Sequence, residues 1–310
     1  MEMLLQCFLL AVGFVMLVNG ADWFVDGAAG IADRMGIPQL VIGLTIVAMG
    51  TSAPEAAVSI TAALKDNAGI TIGNVVGSNI LNILIILGIT SVIVTIAVAK
   101  STVFIDIPVM VAATLILIFF GYTGNEISFV EGVLLWVAFI GYLAYMVVTA
   151  KKNKQETTEK ENNSPFWKLL IATILGLVLI VWGSNVSVDA ATNIAQKLGM
   201  SERFIGLTIV ALGTSLPELF TSVSAAIKGK ADIAIGNIVG SNIFNILFIV
   251  GTTALIIPVV FEAKFLIDAT MAIAAAIFLF LFVVKSKKLT RPAGIFMLLC
   301  YCGYFAYLLA

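Results

Sequence analysis

IGLTIVAMGTSAPE, residues 42–55, returns as IGLTIVALGTSLPE at residues 205–218. Each copy is followed at the same distance by a second shared stretch, IGNVVGSNILNIL (72–84) and IGNIVGSNIFNIL (235–247). The offset is 163 positions throughout, and residues 13–88 align on residues 176–251 without a gap, with a little over half of the positions identical. Chance does not produce such agreement. Identity is concentrated in the polar stretches and falls away in the apolar ones, so the duplication points to a shared polar site and not to ancestry alone.

The surroundings of these stretches set the fold class. Of the 310 residues, 61% are hydrophobic and 11% charged, with mean hydropathy +1.11; a soluble domain carries about a quarter charged residues. A water-soluble fold is excluded, and the partner of most of the surface is a lipid bilayer. A membrane span needs about 20 mostly apolar residues, and charged breaks divide the chain into ten candidates: 3–32, 37–64, 69–98, 102–121, 129–150, 166–195, 202–227, 232–260, 264–284 and 291–309. KKNKQETTEKENNS (151–164) is the sizeable polar segment, with the composition of a disordered linker. The expectation is an all-α polytopic membrane protein of ten transmembrane helices: a first five-span repeat in 1–150, a linker in 151–165 and a second repeat in 166–310. Because five is odd, the second copy enters the bilayer the other way up. Inverted repeats are an architecture of secondary transporters, which bind substrate near the midplane between the repeats.

Connections between ten spans fall alternately on two sides, and Lys and Arg concentrate on the cytoplasmic one. One side holds Lys65, Lys197, Arg203 and Lys264; the other holds the remaining thirteen of the 17 basic residues, among them Arg34, Lys100, Lys151, Lys228, Lys230 and Arg291. This places 151–165 in the cytoplasm and both termini outside, in the cell membrane. The first 20 residues lack a basic n-region and a small-residue cleavage site, and read as a retained span.

Several chemistries are excluded. A net charge of −1 without a basic patch gives no nucleic-acid surface. No HExxH, nucleophile–base pair or cofactor motif appears, so neither an enzyme nor a bound cofactor is expected. With no histidine in the chain, proton chemistry would fall to carboxylates. Cys7, Cys300 and Cys302 lie in apolar runs and read as small hydrophobes.

Glu55 and Glu218 lie deep inside their apolar runs. A charge at the bilayer centre costs about 3 kcal/mol on insertion scales, so such residues mark an ion or proton path. The bland alternative, a protonated glutamate serving as helix glue, fits a single residue better than a symmetric pair. Pro54 and Pro217 lack an N–H and clash with the carbonyl four residues earlier, at Gly50 and Gly213. The helix must bend there and free carbonyls around Gly50–Thr51 and Gly213–Thr214, which membrane proteins tolerate where broken backbone lines a wet or ion-filled cavity. Carbonyls and carboxylates together make an all-oxygen cage suited to a hard cation such as Ca²⁺. Asn74, Ser78 and Asn82 fall at i, i+4 and i+8 on one helical face, and Asn237, Ser241 and Asn245 repeat the stripe; coordination is expected of Ser78, Asn82, Ser241 and Asn245, and helix packing of Asn74 and Asn237. Asp22, Asp26, Asp106, Glu131, Asp189 and Asp268 are expected to be solvated at the interface.

GTSAPE…GNVVGSNILN and GTSLPE…GNIVGSNIFN resemble the two alpha-repeats of the cation/calcium exchanger superfamily, most closely its sodium/calcium exchanger branch of the ten-span prokaryotic type. The likeness covers both repeats, with no appended regulatory domain. It implies a Ca²⁺ site of Glu55, Glu218 and the carbonyls of Thr51 and Thr214. It also implies flanking Na⁺ sites, one using the Ala48 carbonyl, Ser52 and Ser78, the other the Ala211 carbonyl, Thr214, Ser215 and Ser241. Asn82 and Asn245 would face the middle. In some members one of these two positions is an aspartate; both are neutral here, which argues against potassium dependence. The long first and sixth spans are expected to slide against the rest.

The function expected is secondary antiport of Na⁺ against Ca²⁺ by alternating access, electrogenic and carried out by a monomer. Its rivals are a proton/calcium exchanger, in which protons compete for the same glutamates, and a passive cation channel.

Overall fold

The computed structural model describes residues 2–66, 68–152, 164–200, 211–263 and 265–309. It is helical throughout apart from two tiny strand pairs. The helices are α1 (Glu2–Met35), α2 (Gln39–Thr51), α3 (Ala53–Leu64), α4 (Gly69–Ile93), α5 (Thr102–Gly124) and α6 (Phe129–Lys152) in the first half. The second half contributes α7 (Phe166–Lys197), α8 (Ala211–Thr214), α9 (Leu216–Ile227), α10 (Ala231–Ile256), α11 (Phe265–Ser286) and α12 (Arg291–Leu309). Among the described residues seven helices are long and apolar enough to cross a membrane, or eight when α2 and α3 count as one bent span. The first ten residues of the expected span 202–227 include 202–210, which lie outside the described residues, as do 153–163 of the expected linker. Helices α6 and α7 each run two residues beyond the expected ends at 150 and 195, because their last polar residues continue the backbone ladder past the apolar core.

Burial sorts the helices into layers. In the most apolar stretch of α10, 94% is buried, and in that of α4, 72%, against 17% in α1. A helix apolar on every side belongs in a core or against lipid; α4 and α10 take the core, and α1, α6 and α7 line the outside. The two central helices carry the Asn/Ser stripes, so the polar groups and the protein centre coincide.

Helices α1 and α7 run antiparallel in close contact. Gly13, Gly20 and Gly27 on one and Gly176 and Gly183 on the other recur every seven residues at the seam. A Cβ at Gly20 would stand 2.9 Å from the Gly176 carbonyl oxygen, and one at Gly176 would strike the backbone of Phe24. Small residues let helices approach in lipid, where no hydrophobic force drives them together. Both helices end on glycines with positive φ, Gly36 (64°) and Gly199 (77°), which are one repeat offset apart.

The last helix of each half packs on the other half. Helix α12 crosses α4 where a Cβ at Gly294 would meet Ser91 and the Gly88 carbonyl, and α6 crosses α10 where one at Gly132 would lie 2.9 Å from Ala254. The strands are exchanged likewise: β1 (Ile96–Ala97) pairs antiparallel with β4 (Lys288–Leu289), and β2 (Glu126–Ile127) with β3 (Val259–Val260). Each ladder ties a loop of one half to a loop of the other.

Candidate functional site

Residues flanking the two prolines build the site. The axis turns by 48° between α2 and α3, at Ser52, whose backbone (φ −81°, ψ 7°) leaves the helical region. Pro54 stands in the first turn of α3 and Pro217 in that of α9, so neither interrupts its own helix. The expected freed carbonyl is visible at Gly213, which accepts a hydrogen bond from Ser184 Oγ on α7 at 2.6 Å. The corresponding position in the first half is Ala21, which has no donor.

Glu55 and Glu218 occupy the first turns of α3 and α9, each 1% exposed. The N-terminal ends of these helices favour negative charge. Glu218 Oε1 accepts from Ser52 Oγ of the opposite half at 2.8 Å, and Glu55 Oε1 accepts from Ser78 Oγ at 3.4 Å. Among the described residues, Oε2 of both is buried without a hydrogen-bond partner. A buried polar atom without a partner costs about 1–3 kcal/mol, and these two are joined by three more: Asn82 Oδ1, Asn245 Oδ1 and Ser215 Oγ. The helices that carry them meet: α9 packs on the turn that begins at Asn82, and α3 on the turn that begins at Asn245. Both are π turns, Asn82–Leu87 and Asn245–Val250, a wide helical form frequent at functional sites.

Three donors converge on the Ala48 carbonyl: Ser52 N–H at 3.0 Å, Thr51 Oγ1 at 3.3 Å and Ser241 Oγ at 3.3 Å. The single Thr51 hydroxyl proton is shared between that carbonyl and Asn237 Oδ1, the closer acceptor at 2.9 Å. Thr214 ends α8 half-buried, and Ala211 begins it. Ser215 is 3% exposed and Ser241 is fully buried. The glutamates, serines, threonines and amides singled out by the motifs are therefore brought to one region where α2–α3, α4, α8–α9 and α10 meet.

Asn74 and Asn237 serve as braces, as expected. Asn74 Nδ2 donates to Ser59 Oγ (2.9 Å) and the Glu55 carbonyl (3.1 Å), and Asn237 Nδ2 to Ser222 Oγ (3.0 Å) and the Glu218 carbonyl (3.4 Å). The sequence reading passed over Asn79 and Asn242, which tie the two central helices together. Their signal was available, since both copies of the GSN tripeptide contain them.

Interfacial solvation does not describe Asp106, which is 1% exposed. Tyr142 OH donates to its Oδ1 at 3.3 Å. The same 36-residue spacing joins Tyr304 to Asp268 at 2.7 Å in the second half, on a more open face. The expectation failed because α5 is covered on the Asp106 side by other helices, which a span count does not reveal. Asp22 is half-buried and Asp26 exposed, and both are paired: Lys228 Nζ lies 3.2 Å from Asp22 and 2.8 Å from Asp26, and Lys230 Nζ 2.9 Å from Asp26.

The sodium/calcium exchanger protein family model matches residues 5–148 and 168–310, nearly the whole chain. This chain belongs to that family. The putative antiporter CaxA of Alkalimonas amylolytica is 39% identical to it over 97% of this chain and 98% of the relative. The sodium/calcium exchanger MaX1 of Methanosarcina acetivorans is 32% identical over 96% of each. A structure of the sodium-calcium exchanger NCX_Mj soaked with Na⁺ and Sr²⁺ superposes with a TM-score of 0.85 at 34% identity, covering 98% of both chains. The chain is thus an integral membrane protein of a cation antiporter family and shares the NCX_Mj fold.

Proposed function

We propose that this protein exchanges Na⁺ for Ca²⁺ across the membrane by alternating access. The observation that carries the reading is the pair Glu55 and Glu218, both buried, each with one carboxylate oxygen unpartnered among the described residues, beside further such oxygens of Asn82, Asn245 and Ser215. Two carboxylates contribute −2. One Ca²⁺ cancels that charge and takes six to eight oxygens; two or more Na⁺ on partly shared ligands cancel it instead. Occupancy by one ion therefore excludes the other, and competition at a single site is exchange. A neutralised site crosses a low-dielectric barrier more readily than an empty, doubly charged one.

In this reading Ca²⁺ takes Glu55, Glu218 and the carbonyls of Thr51 and Thr214. Na⁺ takes Ser52, Ser78 and the Ala48 carbonyl on one flank, and Ser215, Ser241, Thr214 and the Ala211 carbonyl on the other. Ten spans as two inverted five-helix repeats complete the architecture: the seven long helices, the bent pair α2–α3, the 19-residue α12, and one span that contains α8 and α9. The lysine and arginine asymmetry favours both termini outside and 151–165 inside, in the cell membrane. The protein works as a monomer and needs no bound cofactor.

Purified protein in liposomes with sodium, potassium or proton gradients imposed separately tests the proposal. Uptake of radiolabelled Ca²⁺ is expected to require trans Na⁺ and to be lost in Glu55→Gln and Glu218→Gln. Uptake driven by a pH gradient without sodium would decide for proton exchange, and flux indifferent to any trans ion for a channel.

A further inference from the structure

Asn79 and Asn242 sit back to back where α4 crosses α10, both at most 2% exposed. Each donates its side-chain amide to the other's backbone carbonyl, at 3.2 Å in both directions. A backbone carbonyl only accepts, so these two bonds fix which end of each amide is nitrogen. The side-chain oxygens are thereby left facing away from the carbonyls, and each accepts a further amide: Asn82 Nδ2 donates to Asn242 Oδ1 at 2.9 Å, and Asn245 Nδ2 to Asn79 Oδ1 at 3.0 Å. With their nitrogens committed, Asn82 and Asn245 have their oxygens left over. Those oxygens are buried and have no partner among the described residues.

We propose that Asn79 and Asn242 are positioning residues that set the polarity of the ion site, forcing Asn82 and Asn245 to present carbonyl oxygen and not N–H to the cation. The inference rests on the proposed cation site and adds to it the reason that neutral amides can serve there. A free asparagine can rotate its amide and offer either end, and an N–H turned toward a cation repels it. Here the direction is dictated from outside the site, through a chain that starts at an atom unable to reverse its role. The arrangement is doubled by the repeat, so each half orients the amide of the other.

Calcium binding to purified protein, measured by equilibrium binding of radiolabelled Ca²⁺, tests this through a double-mutant cycle. Asn242→Ala releases Asn82 and is expected to raise the Ca²⁺ concentration for half-saturation by about tenfold or more. Asn82→Ala removes the amide itself, leaving nothing to orient. In that background Asn242→Ala is expected to change half-saturation by less than about twofold. Asn242→Asp, which keeps an oxygen opposite the Asn82 amide, is expected to bind Ca²⁺ more tightly than Asn242→Ala and covers the case in which the alanine variant does not fold. A purely structural role would impose the same loss in both backgrounds, and that result, or a single variant with unchanged binding, overturns the proposal. Wild-type protein that binds neither Ca²⁺ nor Na⁺ overturns the functional reading and this inference together, whereas binding wild type with additive variants overturns the inference alone.

Discussion

Ser52 and Glu218, from opposite halves of the chain, share a buried hydrogen bond of 2.8 Å, while the counterpart of Ser52, Ser215, has a buried hydroxyl with no partner among the described residues. The repeat is symmetric in sequence and asymmetric in its contacts. One serine hydroxyl is held by a carboxylate and the other is not. The same inequality appears at the helix ends: α1 lies along α9, whereas the corresponding contact of α7 with α3 is nearly absent.

The two serines are therefore expected to respond differently to alanine substitution. Ser52→Ala removes a bond to a buried carboxylate and is expected to destabilise the ion-free protein by about 1–3 kcal/mol. Ser215→Ala removes no hydrogen bond and is expected to leave the melting temperature in ion-free buffer unchanged while weakening ion binding. Thermal melts in detergent with and without Na⁺ or Ca²⁺ separate the two effects; equal losses in ion-free buffer would contradict the asymmetry.

Ion binding itself is expected to stabilise the fold. A ligand that binds only the native state at a hundred times its Kd adds about 2.7 kcal/mol. Saturating Ca²⁺ should raise the melting temperature of wild-type protein. Glu55→Gln and Glu218→Gln are expected to abolish that rise, and the ion-free variants to melt at or above the wild type, because each removes an uncompensated buried charge.

Helix α1 is held to α9 at one end by Lys228, which reaches Asp22, Asp26 and the Asp22 carbonyl (3.1 Å), while Ser224 Oγ donates to Asp22 at 2.6 Å. The offset of 163 maps this group onto Asn185, Asp189, Thr61 and Lys65, and among the described residues Lys65 and Asp189 form no ion pair. Lys228→Ala is expected to lower stability by about 1 kcal/mol and Lys65→Ala by less, since half-exposed pairs in a network contribute little more. The difference should shrink in about 1 M salt, where the screening length falls to about 3 Å. A gap insensitive to salt would assign it to packing of the lysine stem.

Much of the centre of the candidate site was legible in the sequence because the duplicate supplied an internal control. Glu55 and Glu218 could be told from incidental acids by recurring at one offset, and Pro54 and Pro217 announced broken helices that the structure places beside them. Ser78, Asn82, Ser241 and Asn245 followed from helical spacing. The spacing did not reveal Asn79 and Asn242, because a stripe at i, i+4 and i+8 describes one face of a helix, and these residues stand on the neighbouring face that meets the partner helix. Asp106 was misplaced for a related reason. Distance from a span end measures depth in the membrane, but whether a side chain meets water depends on which helices cover it. The packing of α5 against α10 and α11 of the other half, which covers Asp106, is a property of tertiary structure.

The α1–α7 seam gives a final test of how much depends on the seven-residue glycine spacing. A side chain at Gly176 would collide with the backbone of Phe24 and one at Gly20 with that of Gly176 and Ile180. Backbone cannot move aside as the tip of a side chain can, so the helices must separate. Overpacking in a well-packed interior costs about 1–3 kcal/mol, and separation forfeits contacts along two helices of 34 and 32 residues. Gly176→Leu is expected to reduce the yield of monodisperse protein and to lower its melting temperature. Gly141→Leu is the control, since a Cβ there meets nothing within 4 Å, and it is expected to behave as wild type by size exclusion and thermal melting. If Gly176→Leu matched that control, the two helices would have to be further apart than their glycines place them.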